Sequence, residues 1–74
     1  MILVLSQQNC QPCRATERHL DRLGVKYVKV DVVASPALQS VARALGHQQT
    51  PVVIADGEHW SGYRPARLDK LGEP

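Results

Sequence analysis

Ile2-Leu3-Val4-Leu5-Ser6-Gln7-Gln8-Asn9-Cys10-Gln11-Pro12-Cys13 is the stretch that decides the fold. Ile2 to Leu5 is an apolar run of strand length, and Ser6 to Asn9 is a polar loop after it. From Gln11 to Leu23 the apolar or small positions Cys13, Thr16, Leu20 and Leu23 recur at spacings of three and four. That spacing predicts a helix with one buried face, ended by Gly24. The pair Cys10 and Cys13 therefore sits where a strand hands over to a helix.

The placement is informative because these are the only two cysteines in the chain. A bridge across so short a loop removes little chain entropy, about 2 kcal/mol on the loop-closure relation. Stability alone is a weak reason to put them there. Chemistry is a better one. Free N–H groups and the dipole at a helix N-terminus stabilise a thiolate, the nucleophilic form of cysteine. Residues three apart in a first helical turn lie about 5–6 Å apart, within reach of a disulfide. Cys10 precedes the turn and is expected to face outward as the nucleophile. Cys13 opens the apolar stripe and is expected to be the sheltered, resolving thiol. Pro12 suits a first helical turn, where a missing N–H costs nothing, and it stiffens the loop between the sulfurs. Half of a zinc site is a poorer reading, since His19, His47 and His59 stand at no finger-like spacing.

Outward from this stretch the pattern stays regular. Val25 to Val33 is rich in β-branched residues and predicts a second strand. Ser35-Pro36 predicts a capped helix start, Leu38, Val41, Ala42 and Leu45 its apolar face, and Gly46 its end. Val52-Val53-Ile54 predicts a third strand, Asp56-Gly57 a hairpin turn, and Glu58 to Ser61 the returning strand. Pro65 opens a last helix carrying Leu68 and Leu71. The order is βαβαββα: an α/β fold with a four-stranded mixed sheet and three helices, in one domain over residues 1–74.

Composition excludes several classes. The chain has 74 residues and a formal charge of +2, with one Trp, two Tyr and no Phe. Basic residues are interleaved with acids, as in Arg14, Glu17, Arg18, Asp21 and Arg22, so no nucleic-acid surface is expected. The N-terminal apolar run is too short for a signal peptide or a membrane span, so the expectation is a cytoplasmic protein away from membranes. Two cysteines at close spacing do not make a secreted disulfide scaffold.

With this order on the page, the chain resembles a thioredoxin-fold protein along its whole length. Within that superfamily it is most similar to NrdH-redoxins. Ala44-Leu45-Gly46, Thr50-Pro51-Val52-Val53 and His59-Trp60-Ser61-Gly62-Tyr63-Arg64-Pro65 carry the likeness. The last of these matches the family pattern W-S-G-[FY]-R-P. The resemblance implies a cis Thr50–Pro51 bond beside the disulfide. It also implies that Thr50, Pro51, Gln11, Pro12 and the run Trp60, Ser61, Gly62, Tyr63 and Arg64 meet substrate or partner. It implies a monomeric redox carrier that holds no cofactor. Thioredoxin reductase would reduce it at the expense of NADPH, and it would pass electrons to the large subunit of a class Ib ribonucleotide reductase. Two departures stand out. The family usually carries C-[MV]-Q-C where this chain has Gln11-Pro12, and Gln7 replaces a lysine common in glutaredoxins. A glutathione-dependent glutaredoxin, a metal or iron–sulfur carrier using the CxxC, and a binding-only subunit are the competing readings.

Overall fold

The computed structural model describes residues 1–73, so the last residue of the expected domain, Pro74, lies outside the described residues. The elements run β1 (Ile2–Ser6), α1 (Gln11–Leu23), β2 (Val28–Asp31), α2 (Pro36–Ala44), β3 (Val52–Ala55), β4 (Glu58–Ser61) and α3 (Pro65–Leu71). This is the expected order. The sheet order is β2-β1-β3-β4, with β1 parallel to β2 and antiparallel to β3, and β3 antiparallel to β4. Together these make the thioredoxin fold.

Strand alternation divides the core between the two faces of the sheet. Val4 pairs with Val53 and Val53 with Trp60, and these three share a cluster with Leu20 of α1 and Leu68 of α3. Leu5 pairs with Val52, and these two pack with Val32 and with Ala42 of α2. Thus α1 and α3 cover one face and α2 covers the other. Truncating a fully buried leucine such as Leu20 or Leu68 to alanine is expected to cost about 2–5 kcal/mol.

Two turns show why the chain reverses where it does. Gly24 adopts φ +70, and the N–H groups of Gly24 and Val25 donate to the carbonyls of Asp21 and Leu20, each at 3.1 Å. This closes α1 in a Schellman motif, with Val25 packed on the cluster that holds Leu20. Asp56 and Gly57 both have positive φ, +47 and +83, as a two-residue type I′ hairpin requires.

The structure corrects four expectations about the elements. Leu23, expected on the buried face of α1, is 37% exposed, and only Cys13, Thr16 and Leu20 of that face are buried. The second strand is Val28–Asp31, not Val25–Val33. At its start Val25 belongs to the close of α1, and at its end the Asp31 carboxylate accepts the Val33 N–H at 2.9 Å and turns the chain. Ser35 does not cap α2, for its side chain makes no capping bond. Finally, Val41 and Leu45 of the expected apolar face are 43% and 38% exposed, because only Ala42 and the half-buried Leu38 reach the sheet.

Candidate active site

Cys10 is the N-cap residue of α1, in extended geometry at φ −117 and ψ 105. Its Sγ accepts the backbone N–H of Cys13 at 3.3 Å, the capping bond usually made by a side-chain oxygen. Cys10 and Cys13 form a disulfide, with their Cα atoms 5.2 Å apart. When the pair is reduced, the same N–H and the α1 dipole act on a Cys10 thiolate and favour the charged form.

A second element reaches the same sulfur from the far side of the sequence. The Thr50–Pro51 bond is cis, as the resemblance implies. It brings the Thr50 hydroxyl to 3.4 Å from Cys10 Sγ and the Thr50 carbonyl oxygen to 3.7 Å. The carbonyl accepts only from a protonated thiol, whereas the hydroxyl can donate to the thiolate. Reduced Cys10 therefore has one fixed donor, the Cys13 N–H, and one group able to donate, the Thr50 hydroxyl. The resemblance implied a contact at Thr50, and no pattern pointed to its side chain.

Burial refines the expected asymmetry. Cys10 is more exposed than Cys13, at 8% against 1%, but it does not face outward. Thr50 lies against it, and the neighbouring Gln11 and Pro12 are both exposed.

The run from Trp60 to Arg64 divides between core and surface. Trp60, which the resemblance places against substrate or partner, is 5% exposed and packs in the α1/α3 cluster, with the Arg67 guanidinium 5.2 Å above its ring. Ser61 pairs with Val52. Gly62 N–H donates to the Pro51 carbonyl at 2.9 Å, which ties the run to the cis-proline loop. Arg64 turns back, and its Nε donates to the Ser61 carbonyl at 3.2 Å. Tyr63 is the aromatic of this run that stays on the surface, at 37% exposure, and it shares a cleft with Gln11, Pro12, Arg14, Ala15 and Arg18.

The position of Tyr63 is held by side chains that sequence reasoning missed. Its hydroxyl lies 2.8 Å from His19 Nδ1, and His19 Nε2 lies 2.6 Å from Asp69 Oδ1. With the ring proton on Nε2, His19 donates to Asp69 and accepts from Tyr63. His19 lies 44 residues from Tyr63 and 50 from Asp69, so no local spacing could have joined them. A separate pair, His47 and His59, bonds Nε2 to Nδ1 at 2.7 Å, and burial, then the neighbouring His59, lowers the His47 pKa. Among the described residues, no three His, Cys, Asp or Glu side chains gather as metal ligands, and no helix is long and apolar enough to cross a membrane. Two side-chain atoms, Thr16 Oγ1 and Trp60 Nε1, are buried without a partner.

The glutaredoxin family profile matches residues 2–60, the span from β1 through Trp60 with both cysteines and the cis-proline. The chain belongs to the glutaredoxin family. Within it, the chain stands with the NrdH-like proteins. It is 36% identical over 70 residues to the glutaredoxin-like protein NrdH of Salmonella typhimurium, covering 95% of this chain and 86% of that protein. The solved structure of the glutaredoxin-like protein NrdH-redoxin from Escherichia coli, described as having a thioredoxin-like activity profile, superposes with a TM-score of 0.94. That match is 34% identical and covers 99% of this chain and 95% of the other. The thioredoxin-like protein BC3987 superposes with a TM-score of 0.86 at 29% identity, covering 96% of this chain and 99% of that one. The chain is thus an NrdH-like redox protein of glutaredoxin type with a CxxC disulfide.

Proposed function

We propose that this protein is a dithiol electron carrier that takes electrons from thioredoxin reductase and delivers them to a class Ib ribonucleotide reductase. The observation that supports this most is a single juxtaposition: Cys10 Sγ at the α1 N-terminus, bridged to Cys13 and flanked by Thr50 of the cis-proline loop. The Cys10 thiolate attacks one sulfur of a target disulfide, forms a mixed disulfide and expels the other target sulfur as a thiolate. Deprotonated Cys13 then attacks Cys10 Sγ and breaks the mixed bond. Two electrons pass to the target, and Cys10–Cys13 is left oxidised. Pro51, Thr50, Gln11 and Pro12 line the approach of the target, and the protein holds no cofactor of its own. Such a carrier works as a monomer in a reducing cytoplasm, with NADPH entering only through the reductase.

The alternative donor is glutathione, and the residues argue against it. Glutaredoxins hold this anionic tripeptide with a cation near the CxxC and with acidic acceptors at the start of the last helix. Here Gln7 stands in place of the cation, Arg64 would repel an ammonium group, and Ala66 offers no acceptor. Each lost hydrogen bond to a charged group weakens binding by about 1.5–3 kcal/mol, so two losses reduce affinity by about a hundredfold or more. The related Escherichia coli protein, with its thioredoxin-like activity profile, fits the same reading. The test is coupled NADPH oxidation with a model disulfide, run once with thioredoxin reductase and once with glutathione and its reductase. The expected result is rapid oxidation with the first and negligible oxidation with the second. Comparable rates would return the protein to glutathione-dependent chemistry.

A further inference from the structure

The cleft beside the disulfide has one-sided charge. Its walls are Gln11, Pro12, Arg14, Ala15, Arg18 and Tyr63, with two arginines and no carboxylate among them. Arg14 and Arg18 are four residues apart on α1, which places them one turn apart on the same side of the helix. Both are exposed, and neither joins an ion pair among the described residues.

Glu17, Asp21 and Asp69 each bond another side chain rather than either arginine. The Glu17 carboxylate pairs with Lys29 Nζ at 3.1 Å. Asp21 accepts the Tyr27 hydroxyl at 3.0 Å, and Asp69 holds His19 at 2.6 Å. Arg14 also borders a second cleft that contains Glu17 and Asp31, so Arg18 presents the less divided charge. Arginine offers a planar fork of donors suited to carboxylates, and two such forks facing one groove select for anions.

Tyr63 gives the groove a firm wall. Its hydroxyl is tied to His19, and His19 to Asp69, so the half-exposed ring is fixed opposite α1. An aromatic anchor with arginines beside it, next to a reactive sulfur, suits a protein segment lying along the groove.

We propose that this cleft docks an acidic, disulfide-bearing protein segment whose carboxylates lie against Arg14 and Arg18. The inference rests on the disulfide-exchange reading above and adds the chemistry of the target. Exposed arginine–carboxylate pairs act mainly on encounter and are weakened by salt, so the preference is a moderate one.

The experiment uses the full chain and three cystine peptides that differ only in flanking residues: Glu, Gln or Lys. Wild type is expected to reduce the Glu peptide with a kcat/KM about three- to tenfold above the Gln peptide, with the Lys peptide slowest. High salt should shrink the spread. Arg18→Glu and the double variant Arg14→Glu/Arg18→Glu should reverse the order, and Arg18→Gln should flatten it. Lys26→Glu, beyond the far end of α1, makes the same change in net charge as Arg18→Glu and should keep the wild-type order. Equal rates for the Glu and Gln peptides in wild type would overturn the proposal, as would a reversal by Lys26→Glu. A Gln peptide that is not reduced at all would instead overturn the exchange reading on which the proposal rests.

Discussion

α1 and α2 open with nearly the same device and use it differently. Each has a residue able to cap, followed closely by a proline: Cys10 with Pro12, and Ser35 with Pro36. Serine is among the best capping residues, yet Ser35 makes no side-chain bond to the helix it precedes. Cysteine is not a usual cap, yet Cys10 Sγ accepts the Cys13 N–H. α3 agrees with α2, since Arg64 makes no side-chain cap before Pro65. Among the described residues, α1 is the helix whose N-terminal N–H is capped by its N-cap side chain, and that side chain is the reactive sulfur. Capping here serves the charge of an atom more than the stability of a helix.

The sharpest way to break this contrast is Cys10→Ser. The hydroxyl can keep the cap, but it cannot exchange with a disulfide. Reduction of a protein disulfide should fall below detection while the fold is retained, read by turnover and circular dichroism. Cys13→Ser should behave differently, trapping a mixed disulfide with substrate that is visible by mass spectrometry. Rapid alkylation of Cys13 in preference to Cys10 would reverse the two roles.

Thr50→Val tests the second donor on the same sulfur. The shape is nearly conserved and the hydroxyl is lost. A hydrogen bond to a charged group is worth about 1.5–3 kcal/mol, so alkylation of reduced Cys10 at a pH below its pKa, where the thiolate is the minor form, should slow about tenfold or more. An unchanged rate would leave the N-terminus of α1 as the sole support of the thiolate.

The caps themselves are compared by stability. In a Cys13→Ser background, alanine at position 10 should cost about 1 kcal/mol relative to serine there. Ser35→Ala should change stability by less than about 0.5 kcal/mol, as for a surface site with no special contact. Equal costs in urea unfolding would erase the difference between the two helices.

The smallest expected effect lies at the other end of α2. Burial, then His59, lowers the His47 pKa below its ordinary 6.5. The unfolded chain then takes a proton that the folded one resists, so stability falls as pH drops below about 6.5. His47 is only partly buried, which keeps the loss slight. His47→Gln should flatten that part of the stability–pH curve, measured by thermal unfolding.

Much of this contrast was legible in the sequence. The CxxC at a strand-to-helix junction, the proline before Val52 and the Asp56-Gly57 turn are local signals, and each lies where it was read. Local signals also misled. Ser35-Pro36 has the composition of a cap without the geometry, and the β-branched run after Gly24 overstated β2 because the closing turn of α1 and the Asp31 side chain claim its ends. Trp60 read as a partner contact because its motif is the family's, whereas strand alternation opposite Val53 buries it. The Thr50 hydroxyl and the His19–Tyr63–Asp69 chain were not legible, since tertiary packing joins residues 40 to 50 positions apart. The framework of the site is local, and its tuning is not.

The most direct test of the central claim is a pH titration of thiolate absorbance in the reduced protein, repeated with Cys10→Ser and Cys13→Ser. One thiol is expected to ionise below the free-cysteine value of about 8.5, lost in Cys10→Ser and kept in Cys13→Ser. Two thiols that both ionise at or above that value, or a low-titrating thiol that survives Cys10→Ser, would contradict it.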